Sequence, residues 1–223
     1  MKSHIDEHMV KPRVVFISNS TEVGTVYSKS ELESISEYCH RHSLYLYLDG
    51  ARIGSGITSK SSDLTLENIS RLVDVFYIGG TKNGALLGEA VVIPNKALQP
   101  NFRYYLKQHG ALLAKGRAIG VQFLGLFTND LFFELAKHAN SMAEKLTRGI
   151  NDLGYSFQTD STTNQIFPIF PNPVIEKLKT DYGFYVWSKI DDNSSSIRLV
   201  TSWATKEEMV DEFIDDLRLI TKL

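Results

Sequence analysis

Residues 44–52 read Leu-Tyr-Leu-Tyr-Leu-Asp-Gly-Ala-Arg, and residues 74–84 read Asp-Val-Phe-Tyr-Ile-Gly-Gly-Thr-Lys-Asn-Gly. Each is a short aliphatic and aromatic run that stops at glycine, which predicts a strand followed by a turn. The strands are Leu44–Leu48, ending at Asp49-Gly50, and Asp74–Ile78, ending at Gly79-Gly80. An acid, Asp49, follows the first strand. A base, Lys82, follows the second, 33 residues later (82 − 49). Val14–Ile17, between Pro12 and Ser18-Asn19-Ser20, predicts an earlier strand, and Glu89–Ile93, ending at Pro94, a later one. Ser28 and Glu31 form a capping box that opens a helix to about His42, with Leu32, Ile35 and Cys39 as its apolar stripe. Polar Ser59–Asp63 leads into a short helix through Leu72. Strand, helix, strand, helix, strand is the pattern of an α/β fold with a mostly parallel sheet covered by helices. Ligands gather at the carboxyl ends of such strands, so Asp49 and Gly79–Lys82 are predicted to share one site.

The remainder changes character. Phe102–Gly154 reads as helical but is interrupted by Gly110, Gly116, Gly120 and Gly125, with a capped break expected at Thr128-Asn129-Asp130. Gln165–Phe170, Phe184–Trp187 and Ile197–Thr201 read as strands. Thr205 with Glu208 reads as a second capping box. The helix after it carries Met209, Val210, Phe213, Ile214, Leu217 and Ile220 on one side. The expected organisation is a large α/β unit over residues 1–127 and a small α+β unit over residues 128–223.

Composition narrows the function classes. With a net charge of −2 and no basic block, the chain lacks the footprint of a nucleic-acid binder. Its apolar runs are far too short to cross a bilayer, and Met1–Lys11 is polar where a secretory signal needs an apolar stretch. One cysteine, Cys39, allows no internal disulfide, so the cytosol is the expected compartment. None of His4, His8, His40, His42, His109 and His138 has metal-ligand spacing, and all are read as structural or surface residues, with no metal expected.

Two segments have chemistry to offer. In Asp49-Gly50-Ala51-Arg52, a carboxylate at a strand end can keep a pyridine nitrogen protonated. Ala51 is small enough for a ring face to pack on it, and Arg52 presents a planar fork for a carboxylate. In Gly79–Gly84, Lys82 sits in a tight turn where burial beside cations would lower its pKa, as a Schiff-base lysine requires. Thr81 is placed to hydrogen-bond a phosphate or the surroundings of the lysine. Taken singly, each segment also fits an ordinary turn with an exposed charge. The phosphate-loop pattern Gly-x4-Gly-Lys-Ser/Thr is absent.

Five segments together resemble the threonine aldolase and aromatic amino-acid β-eliminating lyase family, of fold type I of the pyridoxal-phosphate enzymes. They are Ile17–Tyr27 (ISNSTEVGTVY), Leu48–Gly54 (LDGARIG), Asp74–Gly84 (DVFYIGGTKNG), Gly110–Phe123 and Ile197–Trp203 (IRLVTSW). The resemblance implies pyridoxal 5'-phosphate as cofactor, bound covalently by Lys82 with Asp49 at its ring nitrogen. It implies that Arg52 lies at the cofactor and the substrate carboxylate, and that Arg198 binds the substrate α-carboxylate. The implied reaction is cleavage of a β-hydroxy amino acid, threonine or allo-threonine, to glycine and acetaldehyde, in a homo-oligomer. β-Elimination, transamination, or a catalytically incompetent fragment are the alternatives. Thr21-Glu22 with Gly24-Thr25 matches a family turn and is expected to be structural. Family members carry a further segment ahead of the part that matches Ile17–Tyr27, which cups the cofactor phosphate and stacks on its ring; Met1–Pro12 is expected to be too short for both tasks. Ala114-Lys115-Gly116-Arg117 replaces a family Arg-Gln-Ala-Gly motif, which leaves Lys107, Lys115 and Arg117 as candidate phosphate ligands across a subunit boundary.

Overall fold

The computed structural model describes residues 6–222; His4 lies outside that range. The first half runs β1 (Val14–Ser18), α1 (Lys29–Arg41), β2 (Tyr45–Asp49), α2 (Ile53–Ile57), α3 (Leu66–Leu72), β3 (Val75–Gly79) and β4 (Glu89–Val92). Helices α4 (Phe102–Gln108), α5 (Arg117–Phe127) and α6 (Leu131–Asp152) follow. The last part runs β5 (Gln165–Ile166), β6 (Ile169–Pro171), α7 (Asn172–Leu178), β7 (Tyr185–Lys189), β8 (Ser194–Val200) and α8 (Glu207–Thr221).

The first sheet has the order β1-β2-β3-β4. Helical crossovers make β1, β2 and β3 parallel, whereas the helix-free connection after β3 brings β4 back antiparallel. Leu46 and Leu48 of β2 and Phe76 and Ile78 of β3 point into a core with Leu32, Cys39 and Ile69 from the helices. The alternate residues form the other face, where Phe16 stacks on Tyr47 with ring centroids 5.3 Å apart and Tyr47 tilts against Tyr77. The second sheet is antiparallel, with β5, β6 and β7 all paired to β8. Its core joins Ile166, Phe170 and Ile197 to Val210, Phe213 and Leu217 of α8. Helix α6 serves both cores: Phe132 belongs to the first, and Met142, Leu146 and Ile150 to the second.

The capping box at Ser28 and Glu31 forms as the sequence predicts. The one at Thr205 does not. The Thr205 hydroxyl oxygen accepts from the Ser202 N–H at 2.8 Å, closing a local turn, and α8 starts two residues later without a side-chain cap. Met209, predicted to lie on the apolar side, is exposed. At 128–130 the chain does break, but through left-handed Asn129 and Asp130, and Asp130 makes no side-chain cap at the start of α6. Asn and Asp tolerate that conformation better than other non-glycine residues. The predicted strand Gln165–Phe170 is two strands, separated at Phe167-Pro168, because proline has no N–H for a ladder. The five-residue α2 gave no sequence signal that was read as a helix.

The ends of β2 and β3 meet more closely than side chains would allow. The Gly79 N–H donates to the Gly50 carbonyl at 2.9 Å. A Cβ on Gly50 would stand 1.8 Å from the Tyr77 carbonyl oxygen, and one on Gly79 would stand 2.3 Å from that of Ala51. Gly50→Ala is therefore expected to destabilise the chain by about 2–3 kcal/mol through overpacking. Gly125→Ala, in α5 with open space around it, is expected to stabilise by roughly 0.5–1 kcal/mol. Urea unfolding of the two variants checks both signs.

Candidate cofactor and substrate site

Asp49 ends β2 and Tyr77 stands beside it on β3, one residue beyond the paired Leu48 and Phe76. The Tyr77 hydroxyl donates to Asp49 Oδ1 at 2.5 Å, and the Ala51 N–H donates to the same oxygen at 2.9 Å. Asp49 Oδ2 has no hydrogen-bond partner among the described residues. Burial first, and the Asp49 carboxylate second, push the Tyr77 hydroxyl well above its ordinary pKa, so it stays a donor. One carboxylate oxygen is thus held by the protein while the other is left for a ligand.

Lys82 lies on the loop after β3. That loop is closed by Gly80 N–H bonds to the Gly88 carbonyl and to Glu89 Oε2, and by the Gly88 N–H bond to Thr81 Oγ1. The buried Asn83 amide donates to the Phe132 carbonyl at 2.8 Å, which pins the loop to the start of α6. Next to this anchor, Lys82 is exposed on the turn, with its ammonium within electrostatic reach of Arg52, Asp49, Glu22 and Glu89. Partial burial first, and Arg52 second, hold its ammonium below the ordinary lysine pKa; Asp49, Glu22 and Glu89 pull the other way. The oxygen of Thr81 is engaged by Gly88, leaving its O–H as the group it can offer a ligand.

Arg52 begins α2, and Arg198 comes from β8 on the opposite wall. The walls are joined through Ser55, whose hydroxyl lies 2.5 Å from Asn140 Oδ1 and 3.0 Å from Asn164 Oδ1, and Asn164 donates to the Thr201 carbonyl. Neither arginine makes an ion pair among the described residues. Burial, followed by the charge of Arg198, lowers the Arg52 pKa. The Arg198 guanidinium carbon sits 5.7 Å from the Trp187 ring centroid. Two guanidinium groups without ion pairs among the described residues can attract an anion, and the planar fork of each suits a carboxylate.

The structure therefore brings Asp49, Arg52, Lys82 and Arg198 within electrostatic reach of one another, with Ala51 bonded to Asp49. It also adds residues that the sequence did not mark. Among the described residues, the buried side-chain atoms without hydrogen-bond partners belong to Asn19, Ser20, Gln165 and Arg198. Asn19 and Ser20 follow β1, where the Asn19 N–H donates to the Asp49 carbonyl. The turn after them is clasped by Thr159, Ser161 and Thr163 of the loop ahead of β5, whose hydroxyls donate to the Val23 and Gly24 carbonyls. Gly24 is required there: its φ is +79°, and a Cβ would meet Ser161 Oγ at 2.2 Å. Glu22 on this turn acts on the charges of both Arg52 and Lys82, so the turn borders the site as well as linking the sheets. Only the β2–β3 register could have singled out Tyr77, and only the clasp could have singled out Glu22.

A parallel sheet with an acid and a lysine at its carboxyl edge, faced by an arginine from a smaller antiparallel sheet, is the layout of fold type I pyridoxal-phosphate enzymes. The orphaned polar atoms and the free Asp49 oxygen fit such a ligand. An aspartate aminotransferase from Thermus thermophilus shares the fold, with a TM-score of 0.67 at 15% identity over 93% of this chain and 56% of that one. The chain belongs to the β-eliminating lyase family, whose model matches residues 1–171. It is 35% identical to the low specificity L-threonine aldolase of Pseudomonas aeruginosa over 216 residues, 96% of this chain and 62% of that protein. The threonine aldolase of Leishmania major superposes with a TM-score of 0.96 at 47% identity, covering 99% of this chain and 64% of that one. The chain thus spans less than two thirds of the length of these relatives.

The lysines differ in ways that an amine-directed reagent can read. Lys137 and Lys145 are held above the ordinary pKa by bonds to Glu134 and to Asp211 and Glu207 respectively. Lys82 is held below it, so its neutral amine is present at lower pH. Limited labelling near pH 8 followed by peptide mapping is expected to modify Lys82 ahead of Lys137 and Lys145. Arg52→Met removes a neighbouring cation and is expected to shift the labelling of Lys82 to higher pH.

Proposed function

We propose that this chain carries the catalytic core of a pyridoxal-phosphate-dependent carbon–carbon lyase that cleaves threonine or allo-threonine to glycine and acetaldehyde. The observation that carries this reading is Lys82 within electrostatic reach of Asp49, whose second carboxylate oxygen is free. The names of the relatives support the substrate class.

When bound, pyridoxal phosphate supplies an aromatic ring that accepts the electron pair of the breaking Cα–Cβ bond. Lys82 offers it a nucleophilic amine, available because burial and Arg52 disfavour the ammonium. Asp49 Oδ2 holds a proton at the ring nitrogen, while Tyr77 and the Ala51 N–H keep Oδ1 from turning away. Ala51 would pack against the cofactor ring, and Thr81 would offer its O–H to the cofactor phosphate. Arg52 and Arg198 hold the substrate carboxylate from two sides, which fixes the orientation of the bond to be cleaved.

A homo-oligomer is the proposed assembly, supported by exposed apolar residues on α5 such as Val121 and Leu124. The cytosol is the proposed setting, supported by the free, buried thiol of Cys39. No helix among the described residues is long and apolar enough to cross a membrane.

The test is borohydride reduction of the purified chain with pyridoxal phosphate, followed by peptide mapping. The cofactor is expected on the peptide that contains Lys82, and Lys82→Ala is expected to abolish the label. Threonine should then give equal amounts of glycine and acetaldehyde. Label on other lysines only would overturn the site. 2-Oxobutyrate with ammonia, or 3-hydroxy-2-oxobutyrate with the amino group left on the cofactor, in place of acetaldehyde, would move the reaction to β-elimination or transamination respectively.

A further inference from the structure

Gln165 is fully buried, and neither atom of its side-chain amide has a hydrogen-bond partner. A primary amide brings two N–H donors and a carbonyl acceptor, and burying them unpaired is unfavourable. A leucine or methionine would fill the same volume without that cost, so packing alone does not account for the residue. Its place in the second sheet does. Gln165 pairs with Val200, and Ile166 with Leu199. Side chains alternate along strands, so Ile166, Ile197 and Leu199 point into the second core. Gln165 and Arg198 point the other way, toward the first sheet, as diagonal neighbours across the β5–β8 pair. The main chain of Gln165 abuts the clasped turn: its carbonyl would lie 2.7 Å from a Cβ on Gly24. The Arg198 Nε is also buried without a partner. The two orphaned groups thus face the same way from diagonal positions on β5 and β8.

We propose that Gln165 is a second reader of the substrate α-carboxylate, acting beside Arg198; the inference rests on the proposed function and extends its carboxylate site. The guanidinium takes the carboxylate through parallel N–H bonds, and the Gln165 Nε2–H donates to a lone pair that the guanidinium leaves open. Gln165 Oε1 then accepts from Arg198 Nε–H, which fixes the plane of the guanidinium. The donor is neutral, so it adds directionality without a third positive charge beside Arg52 and Arg198. The residue selects for a carboxylate over an amide or ester at that position.

The test follows the fluorescence of Trp187, which lies against Arg198, in a Trp203→Phe background where it is the sole indole. The full chain, with and without pyridoxal phosphate, is titrated with glycine and with glycinamide. Gln165→Leu is expected to weaken glycine binding about tenfold, as loss of a hydrogen bond to a charged group does. It should leave the weaker glycinamide response unchanged. It should also raise the thermal midpoint of the unliganded chain, because two unpaired polar atoms leave the interior; a structural role for the amide would lower it. Gln165→Glu, which sets a carboxylate next to Arg198, is expected to weaken glycine binding further. Glycine binding in Gln165→Leu equal to that of the parent, or no glycine response in the parent, overturns the proposal. So does failure of both Gln165→Leu and Gln165→Met to fold. Mapping the reduced cofactor separates the two readings: a missing Lys82 label with an intact, Gln165-dependent glycine response rejects the cofactor assignment alone.

Discussion

Everything in the site depends on the fixing of one carboxylate. Asp49 ends a buried strand, and its Oδ1 is held by the Tyr77 hydroxyl and the Ala51 N–H. A carboxylate with both oxygens free would rotate and be solvated. With one oxygen engaged, the other keeps a defined direction, and a ring nitrogen can be met at a fixed place. The close approach of Gly50 and Gly79 makes this possible, since it sets the β2 and β3 ends at a spacing where Tyr77 reaches Asp49. Local packing therefore determines the electrostatics, and the electrostatics determine what the site can hold.

The positive side of the site is built differently. Lys82, Arg52 and Arg198 arrive from a loop, a short helix and a strand of the second sheet. Three cations near one another, without ion pairs among the described residues, repel one another in the unliganded chain. That repulsion helps depress the Lys82 and Arg52 pKa values, and an anionic ligand would relieve it. The polar links through Ser55, Asn140 and Asn164, together with the hydroxyl clasp on residues 23–24, hold the two walls against that repulsion.

Much of this was legible in the sequence, for physical reasons that can be named. Aliphatic and aromatic runs bounded by turn residues marked β1, β2 and β3, and their order placed Asp49 and Lys82 on one edge. The Ser28 box was read correctly because its donors and acceptors are all local. Thr205 was misread because Ser202 offered a nearer partner, which a pattern of residue types does not reveal. Tyr77, Gln165 and Asn19 were not marked because their significance comes from register and burial. Gln165 looks like any polar residue before a β-branched one until β5 is paired with β8. The glycines, read as turn punctuation, prove at positions 50 and 79 to mark a close approach between strands.

The central claim is that Asp49 presents one free oxygen to a protonated ring nitrogen. The direct measurement is the nitrogen-15 chemical shift of ring-labelled pyridoxal phosphate bound to the chain, compared with Asp49→Ala. The account predicts a protonated pyridine nitrogen at neutral pH with Asp49 present and an unprotonated one without it. An unprotonated nitrogen in the parent chain, or a protonated one that persists in Asp49→Ala, would contradict it.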